Sequence, residues 1–300
     1  PISGGIFFYL IVIYLFLSQQ YSFSDLTTYL VTFGIFFYIG IMSDIGKEIN
    51  AKMRLIFQAI ILIVFLSFLD IFILKTNIDP LDILLENKFL SLIFTTFCIL
   101  ILINGLNFID GVNLNSTGFL LASYIILYFL DQYILNENYF TNQYLKIIIF
   151  SLLAFYTLNL FEKNFLGDSG IYIFGLLLGL DIINFCNFND TVSPIVAINF
   201  LWYPAFENLF SIIRKLVSKK NPLEPDKKHL HTLIYSYLLS KKIRYPNTLA
   251  GLIINSILVP CFVSILYFYN STYKLSFVVL IYIIIYISFY LFINSKLSNE

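Results

Sequence analysis

The sequence predicts an all-α membrane protein, a polytopic bundle of about ten transmembrane helices, on three observations. Of its 300 residues 59% are hydrophobic and only 12% are charged, against roughly 25% charged in an ordinary soluble domain. The apolar stretches reach the roughly 20 residues that a helix needs to cross a bilayer. They are continuous rather than alternating, which selects helices over a barrel, since a helix satisfies its backbone hydrogen bonds within one segment.

Taken in order, spans are expected near 3–18, 26–42, 53–74, 88–106, 114–130, 145–162, 170–187, 192–213, 247–268 and 275–294. The connections between them alternate in character. One set is 19–25, 75–87, 131–144, 188–191 and 269–274; the other is 43–52, 107–113, 163–169 and 214–246, with the C-terminal tail. Assigning each Lys and Arg to its nearer side gives the second set 14 basic residues and the first set 4 (Lys75, Lys88, Lys146 and Lys274). Positive charge gathers on the cytoplasmic side of membrane proteins, so the second set is expected there, together with both ends of this chain. No Pro/Gly/Ser linker or internal repeat divides the sequence, and it reads as one domain over 1–300. A net charge of zero gives no case for nucleic acid. Cys98, Cys186 and Cys261 fall inside apolar spans without paired spacing and read as packing residues.

The polar residues collect in the four cytoplasmic connections. In "SDIGKEINAKMRLIFQ" (43–58), Asp44 closes one span, and Lys52 and Arg54 open the next. Lipid-headgroup anchoring suits the two cations but not the carboxylate. In "NGLNFIDGVN" (104–113), Asn104, Asn107, Asp110 and Asn113 recur every third residue. On a helix such residues are near neighbours, and an amide-and-carboxylate stripe at a membrane helix end needs partners or ligands. Hydrogen bonding between helices is the plainer reading of any one of them.

"NFLGDSG" (164–170) puts Asp168 at the mouth of an apolar helix. Gly167 and Gly170 permit close backbone approach to a ligand, and Ser169 is a candidate N-cap. The amides of such a terminus attract anions, which Asp168 would repel. A divalent cation between carboxylate and phosphate resolves that conflict, while a simple helix cap is the alternative for "GDSG" alone. The longest connection, "NPLEPDKKHLHTLIY" (221–235), carries the only two histidines, His229 and His231, after Lys227 and Lys228. Their i, i+2 spacing does not share a helix face, which disfavours a helical zinc pair. The cluster suits a phosphate-rich substrate, and a solvated loop is the alternative. Carboxylates, amides, cations and histidines on one face form the equipment for Mg²⁺-assisted phosphoryl chemistry. GxSxG, HExxH and GxxxxGK[ST] are absent. Asp181, inside a span, has no assigned partner, and Glu207 lies near the cytoplasm with nothing in its spacing to assign it.

At these residues the chain resembles the polyprenyl-phosphate N-acetylhexosamine-1-phosphate transferases of glycosyltransferase family 4. "SDIGKEINAKMRL", "NGLNFIDGVNLNSTG", "FLGDSG" and "NPLEPDKKHLHTLI" match its motifs in order, and "PISGG" resembles its Pro-Gly-Gly entry to the second helix. The "PD…HLH" form resembles the O-antigen and common-antigen initiating branch, whose members are undecaprenyl-phosphate GlcNAc-1-phosphate transferase-like. The resemblance implies one further helix before residue 1. It also implies transfer of a HexNAc 1-phosphate from a UDP-N-acetylhexosamine to polyprenyl (undecaprenyl) phosphate with release of UMP, in the bacterial inner membrane with a cytoplasmic site. That reaction starts lipid-linked envelope glycans of the lipopolysaccharide and cell-wall class.

Carried over residue by residue, Asp168 and Asn107 would hold Mg²⁺, with Mn²⁺ as a substitute. Asp44 and Asp110 would position or activate the lipid phosphate, Arg54 and Lys52 would bind it, and His229 and His231 would contact the nucleotide-sugar diphosphate. Asn104, Asn113, Gly167 and Ser169 complete the expected substrate-binding set. Two positions depart from the family pattern: Ser43 stands where an acid is usual, and Thr232 where a further His is common. A non-catalytic relative that binds nucleotide-sugar or lipid phosphate is the first alternative, and a membrane transporter the second. The oligomeric state is left open, a homodimer included.

Overall fold

The computed structural model describes residues 3–47, 50–136, 138–162, 164–219, 221 and 228–298. They form twelve α-helices: α1 (Ser3–Ser18), α2 (Phe23–Asp44), α3 (Ala51–Leu69), α4 (Asp79–Leu85), α5 (Lys88–Ile109), α6 (Asn115–Phe129), which a π-helical turn continues over Leu130–Leu135, α7 (Asn142–Leu160), α8 (Gly167–Phe188), α9 (Ile195–Val217), α10 (Leu230–Ser240), α11 (Pro246–Phe268) and α12 (Thr272–Ser298). Among the described residues nine helices are long and apolar enough to cross a membrane, and α1 is a shorter apolar helix. The protein is an all-α polytopic membrane protein, and all ten expected spans are present.

Local chemistry sets the helix starts. The Ser22 hydroxyl accepts from the Asp25 amide ahead of α2, Asn50 from Lys52 ahead of α3, Asn87 from Phe89 and Leu90 ahead of α5, and Thr141 from Tyr144 ahead of α7. Each satisfies an amide that the first helical turn leaves without a partner. Several helix ends differ from expectation by a few residues, α9 running to Val217 and α12 to Ser298, and one apolar run is broken. The third span was expected to run to 74, but α3 stops at Leu69, where Asp70 turns left-handed at φ 54°. Ile71 and Phe72 stay buried outside any helix, so the apolar run continues while the helix does not. The connections 75–87 and 214–246 also contain short helices, α4 and α10, that hydropathy does not reveal. Lys163, Lys227 and residues 222–226 of the expected motifs lie outside the described residues.

Helix α8 is the axis of the bundle. Of its most apolar 18-residue window 78% is buried, against 17% for α12. It packs against α1, α2 and α5, while α9 bridges α5 to α12. Its first turn therefore opens among the ends of α2 and α5 and the start of α3, and this placement builds the site.

Candidate active site

Asp44, the last residue of α2, reaches the first turn of α8. Its carboxylate accepts from the Asp168 amide (2.8 Å), the Ser169 amide (3.2 Å) and the Ser169 hydroxyl (2.6 Å). It is a helix cap supplied from 124 residues away, and negative charge at that end is favoured by the helix dipole. Three expectations change accordingly. Ser169 is not the N-cap, because α8 already starts at Gly167 and the Ser169 side chain, fully buried, points to Asp44. The α8 amides at Asp168 and Ser169 are not a vacant anion site, because Asp44 holds them. Gly167, at φ 69°, is needed for close approach to protein: a Cβ there would stand 2.9 Å from the Asp44 carboxylate.

That cap leaves the Asp168 side chain turned to the other neighbours. Its Oδ1 accepts from Asn107 Nδ2 at 2.6 Å, and its Oδ2 accepts from the Ser43 hydroxyl at 2.5 Å and the Tyr172 hydroxyl at 3.3 Å. Arg54 Nη1 stands 3.9 Å from Oδ2 and donates to Ser43 at 3.3 Å, and the Arg54 Cζ lies 5.8 Å from the Tyr172 ring centroid. The Asp168 side chain keeps 28% of its surface exposed. The Ser43 hydroxyl thus bridges the Arg54 cation and the Asp168 carboxylate. Lys52, in the first turn of α3, is exposed.

The every-third-residue stripe divides where α5 ends at Ile109. Asn107 reaches Asp168, whereas Asn104 bonds its own helix at Leu100 O (2.8 Å). Asn113 is buried beyond the helix end, and its backbone N–H donates to the Asn247 side-chain oxygen of α11 (2.9 Å). Asp110, just past α5, accepts from the Ser116 hydroxyl. Burial pushes the Asp110 carboxyl up to about 7; Ser116 opposes the shift, and the charges of Asp168 and Asp44 add to it. The three acids therefore feel one another at one end of the bundle. Among the described residues, however, no group of three or more His, Cys, Asp or Glu side chains could hold a metal ion.

The histidines sit at the start of α10, packed on α5. His229 is the extended residue before the helix and His231 lies in its first turn. This change of backbone conformation brings an i, i+2 pair together, with rings stacked at 5.5 Å and 10°. His229 also stacks on Phe108 at 5.5 Å and 21°. The His231 ring lies so close to Gly111 that a Cβ there would collide with Nε2. Burial lowers His231 to about 4, with Glu207 opposing and His229 adding, so this imidazole is neutral near pH 7. Sequence reasoning missed three partners: Ser116, Tyr172 and the carboxylate of Glu207, which meets His229 Nδ1 at 2.9 Å. Ser116 lies inside a quoted motif, and Tyr172 lies one helical turn after Asp168, a spacing that signals contact. Nothing local signals Glu207.

Residues 26–186, just over half of the chain, match the family model described as glycosyl transferase family 4. The chain belongs to glycosyl transferase family 4. Its curated relatives in that family include proteins named undecaprenyl-phosphate alpha-N-acetylglucosaminyl 1-phosphate transferase. The one from Salmonella typhi is 26% identical over 247 residues, covering 78% of this chain and 65% of the relative. That from Thermotoga maritima is 31% identical over 153 residues, covering 51% and 44%. That from Escherichia coli K12 is 25% identical over 246 residues, covering 78% and 65%. This family 4 chain thus spans just under two thirds of the length of the Salmonella and Escherichia relatives. The family match covers α2 to most of α8, and so includes Asp44, Asn107, Asp110 and Asp168.

Proposed function

We propose that this chain transfers a HexNAc 1-phosphate from a UDP-sugar to polyprenyl (undecaprenyl) phosphate, releasing UMP, as the initiating step of lipid-linked envelope glycan synthesis. One observation carries the proposal. Segments far apart in sequence bring Ser43, Asp44, Arg54 and Asn107 to Asp168 at a single helix mouth, with Asp110 close enough to feel the charges of Asp44 and Asp168, in a chain whose family relatives are named undecaprenyl-phosphate alpha-N-acetylglucosaminyl 1-phosphate transferase.

The donor set fits Mg²⁺ shared with a substrate. This ion keeps several waters and is held by one or two carboxylates plus substrate phosphates rather than by an all-protein cage. Asp168, partly exposed and with Asn107 beside it, supplies that kind of site, and bound there the ion would neutralise diphosphate charge. The protein groups do the rest. Asp44 fixes the first turn of α8 and hence the direction of the Asp168 side chain. Arg54 offers its guanidinium to the lipid phosphate, with exposed Lys52 nearby in α3. An oxygen of that phosphate attacks the sugar-bearing phosphorus of the UDP-sugar, the bond to the bridging oxygen breaks, and UMP departs with the electron pair. A phosphomonoester has its second pKa near about 6, so the nucleophile is largely ionised already. Asp110, titrating near neutrality, is the carboxyl suited to take its remaining proton. His229 would contact the diphosphate, with the ring of His231 stacked against it. The basic residues of the connections favour a cytoplasmic site in the bacterial inner membrane.

The test is UMP release by the full chain in lipid nanodiscs, given undecaprenyl phosphate, a panel of UDP-HexNAc sugars and Mg²⁺. Turnover that stops on chelation is expected. No release with any sugar would overturn the transferase reading in favour of a binding-only relative.

A further inference from the structure

The carboxylate of Glu207 lies in α9, fully buried. Both of its oxygens are used by other elements. Oε1 meets His229 Nδ1 at 2.9 Å and accepts from the Leu230 amide at 3.4 Å, and Oε2 accepts from the Tyr286 hydroxyl of α12 at 2.5 Å. A buried carboxylate within a membrane helix is costly and marks function more often than packing. Here it dictates the histidine's chemistry. Because Glu207 accepts, Nδ1 is the nitrogen that carries hydrogen, whether the ring is neutral or charged. The ring plane is fixed as well, between Phe108 on one face and His231 on the other. Nε2 is left with no hydrogen-bond partner among the described residues, in a ring that keeps 6% exposure. Phe108 directly follows Asn107, so the held imidazole stands over the end of α5 that also carries Asp110.

We propose that Glu207 is a positioning residue of the transfer site. It acts through His229, holding Nδ1–H so that Nε2 is presented to the diphosphate of the nucleotide sugar. Tyr286 is its second holder, tying the middle of α12 to the site. This assignment rests on the transferase reading. A structural role alone would consist of tethering the start of α10 through the Leu230 amide.

A double-mutant cycle separates the two roles. Glu207→Gln, His229→Ala and the double variant are compared with wild type in full-length protein in nanodiscs, for kcat, KM of each substrate, melting temperature and UDP affinity. Loss of a carboxylate that orients a histidine lowers activity by about 10–100-fold in comparable arrangements. Glu207→Gln is expected to lose that much in kcat/KM for the UDP-sugar, with KM for the lipid unchanged, and Glu207→Asp to recover part of it. In the His229→Ala background the Glu207 change should add less than about twofold, because coupled residues are non-additive. Wild-type kinetics for Glu207→Gln, or losses that multiply in the double variant, would overturn the proposal. If the wild type releases no UMP, the transferase reading fails, and the same four proteins still report on the pair through UDP affinity: non-additive losses support it and additive ones reject it. A wild-type chain that does not bind UDP overturns both.

Discussion

Two carboxylates on one helix meet opposite fates. Asp168, in the first turn of α8, receives Asn107 from α5 and Ser43 from α2, has Arg54 of α3 at its edge and stays partly exposed. Asp181, farther along the same helix, accepts from the Tyr124 hydroxyl at 2.9 Å and from the Tyr144 hydroxyl at 3.0 and 3.1 Å, and is 8% exposed. Both are acids in a mainly apolar surrounding, and both are hydrogen-bonded. The difference lies in what surrounds them. Asp168 is approached by a cation, an amide and a second acid at a surface where water and substrate can arrive. Asp181 is closed off by two phenols that satisfy it within the bundle. An intramembrane acid is a functional candidate by default, and the partner set decides between chemistry and mutual support of helices.

The comparison can be broken in several places. Among the positions around Asp168 the largest effect is expected at Asp44. Asp44→Ala removes three bonds from the start of α8 and frees Asp168 to move; displacement on the order of 1 Å can lower turnover about 100-fold. Melting in detergent should fall as well, since unsatisfied buried amides cost about 1–3 kcal/mol each. Turnover close to wild type would mean that the cap does not position Asp168.

Next comes Asp110, whose carboxyl titrates at about 7 because of burial and its acidic neighbours. If the ionised form is needed, turnover rises with pH up to about 7 and then levels, and Asp110→Asn removes that acid limb. Stability runs the other way. The folded chain holds a proton that the unfolded chain releases near the ordinary 3.8, so the stabilisation is complete below that value and is lost as pH rises through about 7. Thermal shifts at pH 5 and pH 8 should therefore show a larger fall for wild type than for Asp110→Asn.

A smaller effect is expected at Ser43. Ser43→Ala removes the bridge between Arg54 and Asp168, and a bond to a charged group is worth about 1.5–3 kcal/mol; Asn107 and Tyr172 still hold the Asp168 carboxylate, so a loss of about tenfold in kcat/KM for the lipid phosphate is expected. The smallest functional effect belongs to the sealed acid. Tyr144→Phe should leave turnover within about twofold while lowering melting by an amount consistent with one lost buried bond, about 1–3 kcal/mol. A selective loss of activity there would erase the distinction drawn between the two acids.

Much of this architecture was legible in the residues. All ten apolar spans are helices, and the acids at 44, 110 and 168 share one end of the bundle. Three features were not legible, each for a physical reason. Helix α3 stops at Asp70 although apolar residues continue through Leu74, because hydropathy reports burial and not helix continuity. Asn104 and Asn113 belong to a regular stripe, yet the helix ends between them and sends Asn113 toward α11. The roles of Asp44 and Glu207 depend on partners 124 and 22 residues away, and no local pattern encodes such contacts. Asp44 reads as a site acid and proves to be a helix cap as well. Glu207 has nothing in its spacing to assign it and proves to hold a histidine.

The most direct measurement compares the two acids under one assay. Asp168→Asn and Asp181→Asn, each purified as the full chain in nanodiscs and shown to be helical, are assayed for UMP release with undecaprenyl phosphate, a UDP-HexNAc and Mg²⁺. The account predicts turnover of Asp168→Asn at least about 100-fold below wild type, with Asp181→Asn close to wild type but less thermostable. Equal turnover for the two variants, or a greater loss at Asp181, would contradict it.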